Sequence, residues 1–313
     1  MSTATRASFS ALRLPMIVAP MFLVSGPDLV ISAAKWGVVG AMPTLNARDL
    51  DTLERWLLRI RRDTSAVRGT FAINLVVHNK YARMQADLDL IVKHEVPYVI
   101  TSIGSPASVV ERVHAYGGRV LSDVATIRHA RLAIDAGVDG LILLCAGAGG
   151  NTGWLNPFAF VSEIRTFYDG PLAVAGCIGS GNALRALEIL GADLGYAGTP
   201  FIVAKESLAS DEYRYEVQMA HADDVVLTSA ITGIPSNVLN ASLVKWNIDP
   251  GVSTGGFQGI EPAGMSAKPW KEIWSVGQGV GTSNLTLRAS EILDMWENQY
   301  QGARDQLTLG EYR

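Results

Sequence analysis

Short apolar runs alternate with amphipathic segments from residue 14 to residue 201. Residues 172–176 are apolar throughout, which is typical of a strand covered on both faces. The next segment places Leu184, Leu187 and Leu190 on one helical face, and Gly191 ends it, as glycine commonly ends a helix. The same reading assigns eight strand-like runs, at 14–20, 38–41, 70–76, 98–102, 119–121, 140–145, 172–176 and 194–197.

Helical segments fill the intervals between these runs. They are predicted at 27–36, 50–62, 81–94, 106–116, 126–136, 156–167 and 182–190. Such alternation predicts a right-handed β/α series with parallel strands. A doubly wound sheet shares this pattern, but eight regular units favour an α/β fold of the (β/α)8 barrel type.

The alternation breaks after Phe201. Residues 205–222 are polar with a helical pattern, 248–268 are rich in Gly, Pro and Ser without clear periodicity, and 283–300 again have a helical pattern. A long irregular segment in a compact domain usually has a function, for example as a lid over an active site. We therefore predict a barrel built from residues 1–204 and 275–313, with residues 205–274 added as a lid or substrate subdomain.

Two glycine-bearing loops follow the last two predicted strands. The first begins at Gly176-Cys177 and runs to Gly181, and the second is Gly198-Thr199-Pro200. Glycine leaves the backbone N–H groups unobstructed, and a nearby helix N-terminus favours an anion. Barrels often bind phosphate at the loops after strands seven and eight. Although one glycine pair is ordinary turn chemistry, the two loops together predict a phosphate site.

The other strand ends are polar but poor in catalytic residue types. They contribute Ala19-Pro20-Met21, Asn74, Ser122-Asp123 and the run from Ala148 to Asn151. Asp123 is the only charged residue among them, and no group of residues has metal-ligand spacing or the makings of a nucleophilic triad. Such a site suits a pocket in which a bound cofactor supplies the chemistry.

Composition narrows the class of partner. The chain of 313 residues is 48% hydrophobic and carries a formal net charge of −4, so it lacks the basic footprint of a nucleic-acid-binding protein. Cys145 and Cys177 lie in or beside apolar runs, which fits a reducing compartment better than a disulfide framework. No apolar run has the length of a membrane span. We expect a cytoplasmic protein that acts on a small molecule, and a homodimer is compatible with the sequence.

Several motifs occur in the order found in one family. They are APM at 19–21, INL at 73–75, IRHARLAIDAGVDGLIL at 127–143, AGGN at 148–151, AGCI at 175–178, GADLGYAGTPF at 191–201 and GQGVG at 277–281. With them the chain resembles the nitronate monooxygenases, formerly called 2-nitropropane dioxygenases. These are FMN-containing TIM barrels related to flavin-dependent enoyl reductases.

The resemblance implies a set of FMN-binding residues. It places Pro20 and Met21 beside the flavin ring and Asn74 at the ring edge. It brings the backbone of Ala148 and Gly149 close to the ring. Gly176-Cys177 and Gly198-Thr199 would hold the phosphate, in agreement with the glycine loops. The remaining residues that it implies for the cofactor site are Ala19, Asp123, Gly150 and Gln278.

Two positions depart from the family pattern and are our candidates for catalytic residues. The family motif usually reads AGGH, in which the histidine is a general base, whereas this chain has Asn151. An amide cannot take a proton near neutral pH. The site could therefore oxidise an ionised nitronate, which needs no base, but the absence of the histidine argues against oxidation of a neutral nitroalkane. Asp123 stands where the family often has lysine, and an anion there would disfavour an anionic reduced flavin.

Purely structural roles remain possible for several residues. Asn151 could cap a turn, Asp123 could cap the following helix, and Cys177 could be a packed small side chain. We expect His78 and His221 to be surface residues. The aromatic residues Trp246, Phe257, Trp270 and Trp274 either form the core of the lid or cover an apolar substrate.

Three functions therefore stay open. The first is nitronate oxidation with O2. The second is FMN-dependent reduction or dehydrogenation of an enoyl or acyl thioester, with NAD(P)H as a donor. The third is a flavin-binding barrel that has lost its reaction.

Overall fold

Eight parallel strands close into a barrel in the computed structural model, which describes residues 9–253, 255–259 and 271–309. In barrel order they are β1 (Met16–Val18), β2 (Val39–Pro43), β3 (Thr70–Val76), β4 (Tyr98–Ser102), β5 (Arg119–Val124), β6 (Gly140–Leu144), β7 (Leu172–Ala175) and β8 (Leu194–Ala197). β8 closes the barrel on β1, with Ile17 opposite Tyr196. The predicted (β/α)8 barrel is confirmed.

Helices follow the strands in the predicted order. They are α1 (Pro27–Trp36), α2 (Leu50–Asp63), α3 (Met84–Lys93), α4 (Ala107–His114), α5 (Ile127–Asp135), α6 (Pro157–Arg165), α7 (Gly181–Leu190) and the single turn α8 (Thr199–Ile202). Side-chain caps begin four of them, from Asp49, Thr126, Asn156 and Ser180. Each cap accepts a hydrogen bond from an N–H group of the first turn, which would otherwise be unpaired.

The barrel interior is filled by every second side chain of the strands. Leu121 lies in this inner cluster with Ile142 and Tyr196, whereas Val120 and Val124 pack against the helices outside. Because side chains alternate across a strand, Asp123 faces the interior, two residues beyond Leu121. This parity brings the only charged strand-end residue into the mouth of the barrel.

Several predicted boundaries in the barrel were wrong, among them the end of β5, which was predicted at residue 121 and lies at Val124. The helix predicted to begin at Tyr81 begins at Met84, and the Tyr81 hydroxyl donates a hydrogen bond to the buried Asp87 carboxylate. The first strand is limited to Met16–Val18, because Ala19 already leads into the loop at the barrel mouth.

The segment after the barrel contains a small sheet that the sequence pattern did not predict. Strands Val225–Thr228 and Ser236–Leu239 pair antiparallel, and the second also pairs with the short strand Gly150–Asn151. The polar helix predicted at 205–222 is limited to α9 (Asp211–Met219), and α10 (Asn240–Lys245) follows the sheet. We keep residues 205–274 as a proposed lid subdomain, since this sheet binds directly to a loop at the barrel mouth.

The last helix, α11 (Ala289–Leu309), starts later and ends later than predicted. It returns to the barrel, where Leu293 and Trp296 pack in the same core cluster as Leu184 of α7. α11 therefore packs as part of the barrel domain. Among the described residues, no helix is long and apolar enough to cross a membrane.

Candidate active site

A cavity opens at the carboxyl ends of the barrel strands, under the segment that follows the barrel. It is lined by almost all the residues singled out from the sequence: Ala19, Pro20, Met21, Asn74, Asp123, Ala148, Gly149, Gly150, Asn151, Gly176, Cys177, Gly198 and Thr199. Gln278 is not part of the lining, although its neighbours Gly277 and Gly279 are. The Gln278 side chain lies instead beside Cys177, with Oε1 3.8 Å from Sγ.

The loop after β7 offers backbone donors to this cavity. Gly176 and Cys177 both have positive φ, at 126° and 59°, so the chain turns sharply as it leaves the strand. Within the described part of the chain, the N–H groups of Cys177 and Ile178 donate to no protein acceptor. Unpaired amides that line a cavity favour an anionic ligand group.

The N-terminus of α7, by contrast, is partly satisfied by the protein. The Ala183 N–H donates to the Ser180 hydroxyl at 3.2 Å, and the Gly181 N–H donates to Gln299 Oε1 at 2.9 Å. That a helix terminus assists an anion here stays a prediction. The N–H groups of Cys177 and Ile178 are donors that the described part of the protein leaves available.

Backbone segments meet without side chains between them on the other side of the cavity. A Cβ atom on Gly149 would lie 2.7 Å from the Gly277 nitrogen and 2.8 Å from the Val276 carbonyl carbon, closer than real Cβ contacts come. The Gly277 N–H donates to the Thr199 hydroxyl at 2.9 Å. The loops after β6 and β8 are therefore joined through residues 276–279, and only glycine fits at the contact.

The loop after β1 is held by two residues that the sequence did not single out. Asn46 Nδ2 donates to the carbonyl oxygens of Met21 and Ser25, at 2.9 and 2.7 Å. The Ser25 hydroxyl accepts from the Met21 N–H at 3.0 Å. These bonds fix Pro20 and Met21 at the cavity wall, but an Asn and a Ser in ordinary loops carry no recognisable signal in sequence.

Asn74 presents one half of its amide group to a ligand. Its Nδ2 atom donates to the Ile100 carbonyl and to the Ser102 hydroxyl, both at 3.1 Å. Since the nitrogen is engaged with the protein, the carbonyl oxygen is left as the acceptor on the cavity side.

Asn151 is fixed by the small sheet. The Ser236 hydroxyl donates to Asn151 Oδ1 at 3.1 Å, and Asn237 Nδ2 donates to the Ala148 carbonyl at 2.7 Å. Because Ser236 uses the oxygen of this amide, the Asn151 nitrogen remains as a hydrogen-bond donor. The turn is secured by Thr152, whose hydroxyl donates to the Cys145 carbonyl at 2.8 Å, so turn capping does not explain Asn151.

Asp123 is a buried carboxyl group without a protein partner. Its Oδ1 atom makes no hydrogen bond to any described residue, and part of the residue is accessible from the cavity. Burial raises the pKa of Asp123 to about 8, because an ionised carboxylate is poorly solvated there. Thr126, not Asp123, caps α5. Burial therefore favours the protonated form of the carboxyl group near neutral pH over the anion expected at this position.

Two further unpaired groups line the same cavity. The hydroxyls of Thr232 and Ser275 are buried and find no hydrogen-bond partner among the described residues. Both lie in the irregular region after the barrel, where no periodicity marks them. Buried polar groups are normally paired, so unpaired ones around a cavity indicate a polar ligand.

The histidines do not supply a base to this cavity. The His78 ring packs edge-on against Phe257 with centroids 4.9 Å apart. The backbone N–H of His221 donates to the Asp224 carboxylate at the start of a short turn. Phe257 lines the cavity, and Lys80 Nζ donates to its carbonyl oxygen at 2.7 Å. Trp274 is buried in the core of the lid, whereas Trp270 lies outside the described residues.

The mouth of the barrel thus forms a cavity that suits a polar ligand. Residues 80–259, more than half of the chain, match the family model described as nitronate monooxygenase. The chain belongs to this family, and it is an enzyme of the oxidoreductase class.

Curated relatives carry different kinds of names. One from Rhodococcus jostii is 24% identical over 261 residues, which are 83% of this chain and 70% of the relative, and is named "(3aS,4S,5R,7aS)-5-hydroxy-7a-methyl-1-oxo-octahydro-1H-indene-4-carboxyl-CoA dehydrogenase". One from Staphylococcus saprophyticus is 26% identical over 213 residues, 63% of this chain and 58% of the relative, and is named probable nitronate monooxygenase.

Solved structures share the fold at low sequence identity. A nitroalkane oxidase from Streptomyces ansochromogenes has a TM-score of 0.82 and 23% identity, covering 96% of this chain and 99% of its own. FabK from Thermotoga maritima has a TM-score of 0.80 and 20% identity, covering 99% of this chain and 100% of its own. These likenesses concern the fold alone.

Proposed function

We propose that this protein is an FMN-dependent oxidoreductase that oxidises nitronates and uses O2 as the electron acceptor. The observation that carries the proposal is that residue 151 is an asparagine at the cavity wall. An amide fixed by Ser236 lines the cavity, so a substrate that arrives already ionised suits this site. Family membership supports the reaction class.

The cavity wall fits FMN by the chemistry of its donors and acceptors. The free N–H groups of Cys177 and Ile178 suit a phosphate group. Asn74 offers a carbonyl oxygen, which suits an N–H group at a flavin ring edge. The fixed Pro20-Met21 loop would flank the ring. FMN, when bound, supplies the two-electron chemistry that the side chains cannot.

Asn151 orients the substrate in this proposal. Its amide nitrogen donates to a nitronate oxygen, while Ser236 prevents the amide from rotating. The cavity-lining groups that could act as bases are mostly protonated near pH 7, because burial raises the pKa of Asp123, Cys177, Tyr196 and Tyr213. An ionised nitronate needs no base, whereas a neutral nitroalkane does.

The lid excludes water from the cavity in the same proposal. Phe257 covers one side and is held to the barrel by His78 and Lys80. Tyr213 lines the cavity and donates a hydrogen bond to the Ser275 carbonyl. A closed apolar cover strengthens the hydrogen bonds beneath it, because the surroundings have a low dielectric constant.

Anaerobic mixing of the FMN-loaded protein with propyl-2-nitronate tests the proposal. We expect the flavin absorbance to bleach with the nitronate at pH 7 but not with neutral 2-nitropropane. Asn151→His restores a base and should allow bleaching by 2-nitropropane as well. A flavin spectrum unchanged by the nitronate would overturn the proposal.

A second candidate function is oxidation or reduction of a thioester of coenzyme A. It is favoured by the printed name of the Rhodococcus relative and by the unpaired hydroxyls of Thr232 and Ser275, which suit a carbonyl oxygen. NADH oxidation stimulated by an enoyl-CoA, without bleaching by the nitronate, would select this candidate. A bound flavin that is inert to both substrates would indicate a binding protein. Cytoplasmic location and oligomeric state remain predictions.

A further inference from the structure

Asp123 occupies an unusual place for a carboxyl group. It lies at the end of β5, opposite Ile142 of β6, and faces the barrel interior. Its Oδ1 atom is buried without a partner among the described residues. Among the described residues that line the cavity there is no lysine, arginine or histidine. The carboxyl group is thus open to the ligand site but has no cation to balance an ionised form.

We propose that Asp123 works as a neutral carboxylic acid that donates a hydrogen bond into the cavity, and that loss of its proton weakens the binding of anionic substrates. This inference deepens the proposed function and rests on it, since it makes the ionised nitronate a substrate only while Asp123 is protonated. In the neutral form the group is both a donor and an acceptor. In the ionised form it accepts only, and its charge repels an anion.

Among the described residues that line the cavity, Asp123 is the carboxyl group, and the other acidic groups are a thiol and two phenols. Tyr196 faces it from β8, and burial raises the pKa of that phenol well above its usual range. Cys177 and Tyr213 line the cavity, and burial raises the pKa of each. The adjoining strand β4 offers the hydroxyl of Ser102, which lines the cavity and does not titrate. Tyr98 lies deeper in the barrel interior.

The first test measures binding of sodium isobutyrate, which has the heavy-atom connectivity of propyl-2-nitronate but is not oxidised by flavins. It stays ionised from pH 7 to pH 9, as carboxylates ordinarily do. Its dissociation constant with the FMN-loaded protein is read from the change in flavin absorbance and by calorimetry. For a carboxyl group with a pKa of about 8, we expect the constant to rise about tenfold from pH 7 to pH 9, because only the protonated fraction binds.

Asp123→Asn removes the titration but keeps a neutral side chain of the same shape. We expect the dissociation constant of this variant to change less than about twofold over the same range. Asp135→Asn is the matched control, since Asp135 is exposed at the end of α5, and it should keep the wild-type pH dependence. A flat wild-type profile, or the same slope in Asp123→Asn, would overturn the inference.

A second readout does not depend on flavin, ligand or turnover. Infrared difference spectra of the wild-type protein labelled with 13C-aspartate should contain the band of a protonated carboxyl group at pH 6.5 and lose it by pH 9.5. Absence of that band at pH 6.5 would overturn the inference even if isobutyrate gave no spectral signal. Failure of the proposed function is separate, because it is read from bleaching by propyl-2-nitronate.

Discussion

Carboxyl groups at the two ends of the barrel have opposite surroundings. At the amino ends of the strands, Asp139 accepts hydrogen bonds from His114 Nε2 and the Val120 N–H, both at 2.8 Å, and from Arg119 at 3.2 Å. Asp193 at the same end pairs with Arg165 at 2.6 Å. At the carboxyl ends, Asp123 has an oxygen without any partner among the described residues.

The difference separates residues that stabilise the barrel from residues that await a ligand. A buried charge without a partner destabilises a protein, so the fold depends on the partners that the carboxylates at the amino ends have. Unpaired groups at the other end, including the hydroxyls of Thr232 and Ser275, cost stability until a ligand binds. This division agrees with the general rule that barrel enzymes keep their chemistry at the carboxyl ends of the strands.

Removal of a paired carboxylate should have the largest effect on stability. Asp139→Ala leaves the Val120 N–H, Arg119 and His114 without their acceptor, so we expect the free energy of unfolding in urea to fall by about 1–3 kcal/mol. Affinity for FMN should stay within about twofold of wild type. A large loss of FMN affinity in a folded variant would contradict the separation of the two ends.

A side chain added at the glycine contact in the barrel mouth should lower the affinity for FMN, in contrast to the loss of stability expected for Asp139→Ala. Gly149→Ala forces a Cβ atom against the backbone of residues 276–277, so we expect FMN affinity to fall about 100-fold, or about 2.7 kcal/mol. The measurement is a fluorescence titration with FMN. Gly281→Ala is the control, since nothing lies within 4 Å of its added Cβ, and equal losses in both variants would contradict the account.

The buried acid should make the protein less stable as the pH rises. Burial raises the pKa of Asp123 to about 8, so between about pH 4 and pH 8 the native state keeps a proton that the unfolded state has lost. Stability from this group is full below pH 4 and should fall by about 1.4 kcal/mol per pH unit towards pH 8. Urea unfolding at several pH values should show this slope in wild type and not in Asp123→Asn; identical slopes would contradict it.

The smallest effects should come from the amide at position 151 and its support. Asn151→Ala should slow anaerobic flavin bleaching by propyl-2-nitronate about tenfold. Ser236→Ala should slow it about threefold, because the amide keeps its place but gains freedom to rotate. Stopped-flow absorbance measures both rates, and a larger effect of Ser236→Ala would show that Asn151 is not the contacting group.

The sequence predicted the barrel and much of the cavity wall, because both follow from strand ends. Gly176 and Gly198 each follow an apolar run and Asn74 lies near the end of one, so the (β/α)8 order alone brings them together. The same reasoning predicted that Asp123 lies at the barrel mouth. It could not predict the raised pKa of Asp123, because the burial of a side chain depends on the residues that pack around it.

The lid could not be predicted in the same way. The contact between Ser236 and Asn151 joins residues 85 positions apart, and it depends on a sheet of very short strands. Thr232 and Ser275 lie in segments without periodicity, so nothing marked them before the structure placed them at the cavity. The motif around Gln278 pointed to the right segment, but its glycines line the cavity while the glutamine side chain lies beside Cys177.

The claim on which the rest depends is that the mouth of this barrel holds FMN. Equilibrium titration of the protein with FMN, followed by absorbance and by quenching of flavin fluorescence, tests it most directly. We predict uptake of one equivalent per chain with shifted flavin bands, and weaker uptake in Gly149→Ala than in Gly281→Ala. A protein that is colourless as purified and leaves added FMN unbound would contradict the account.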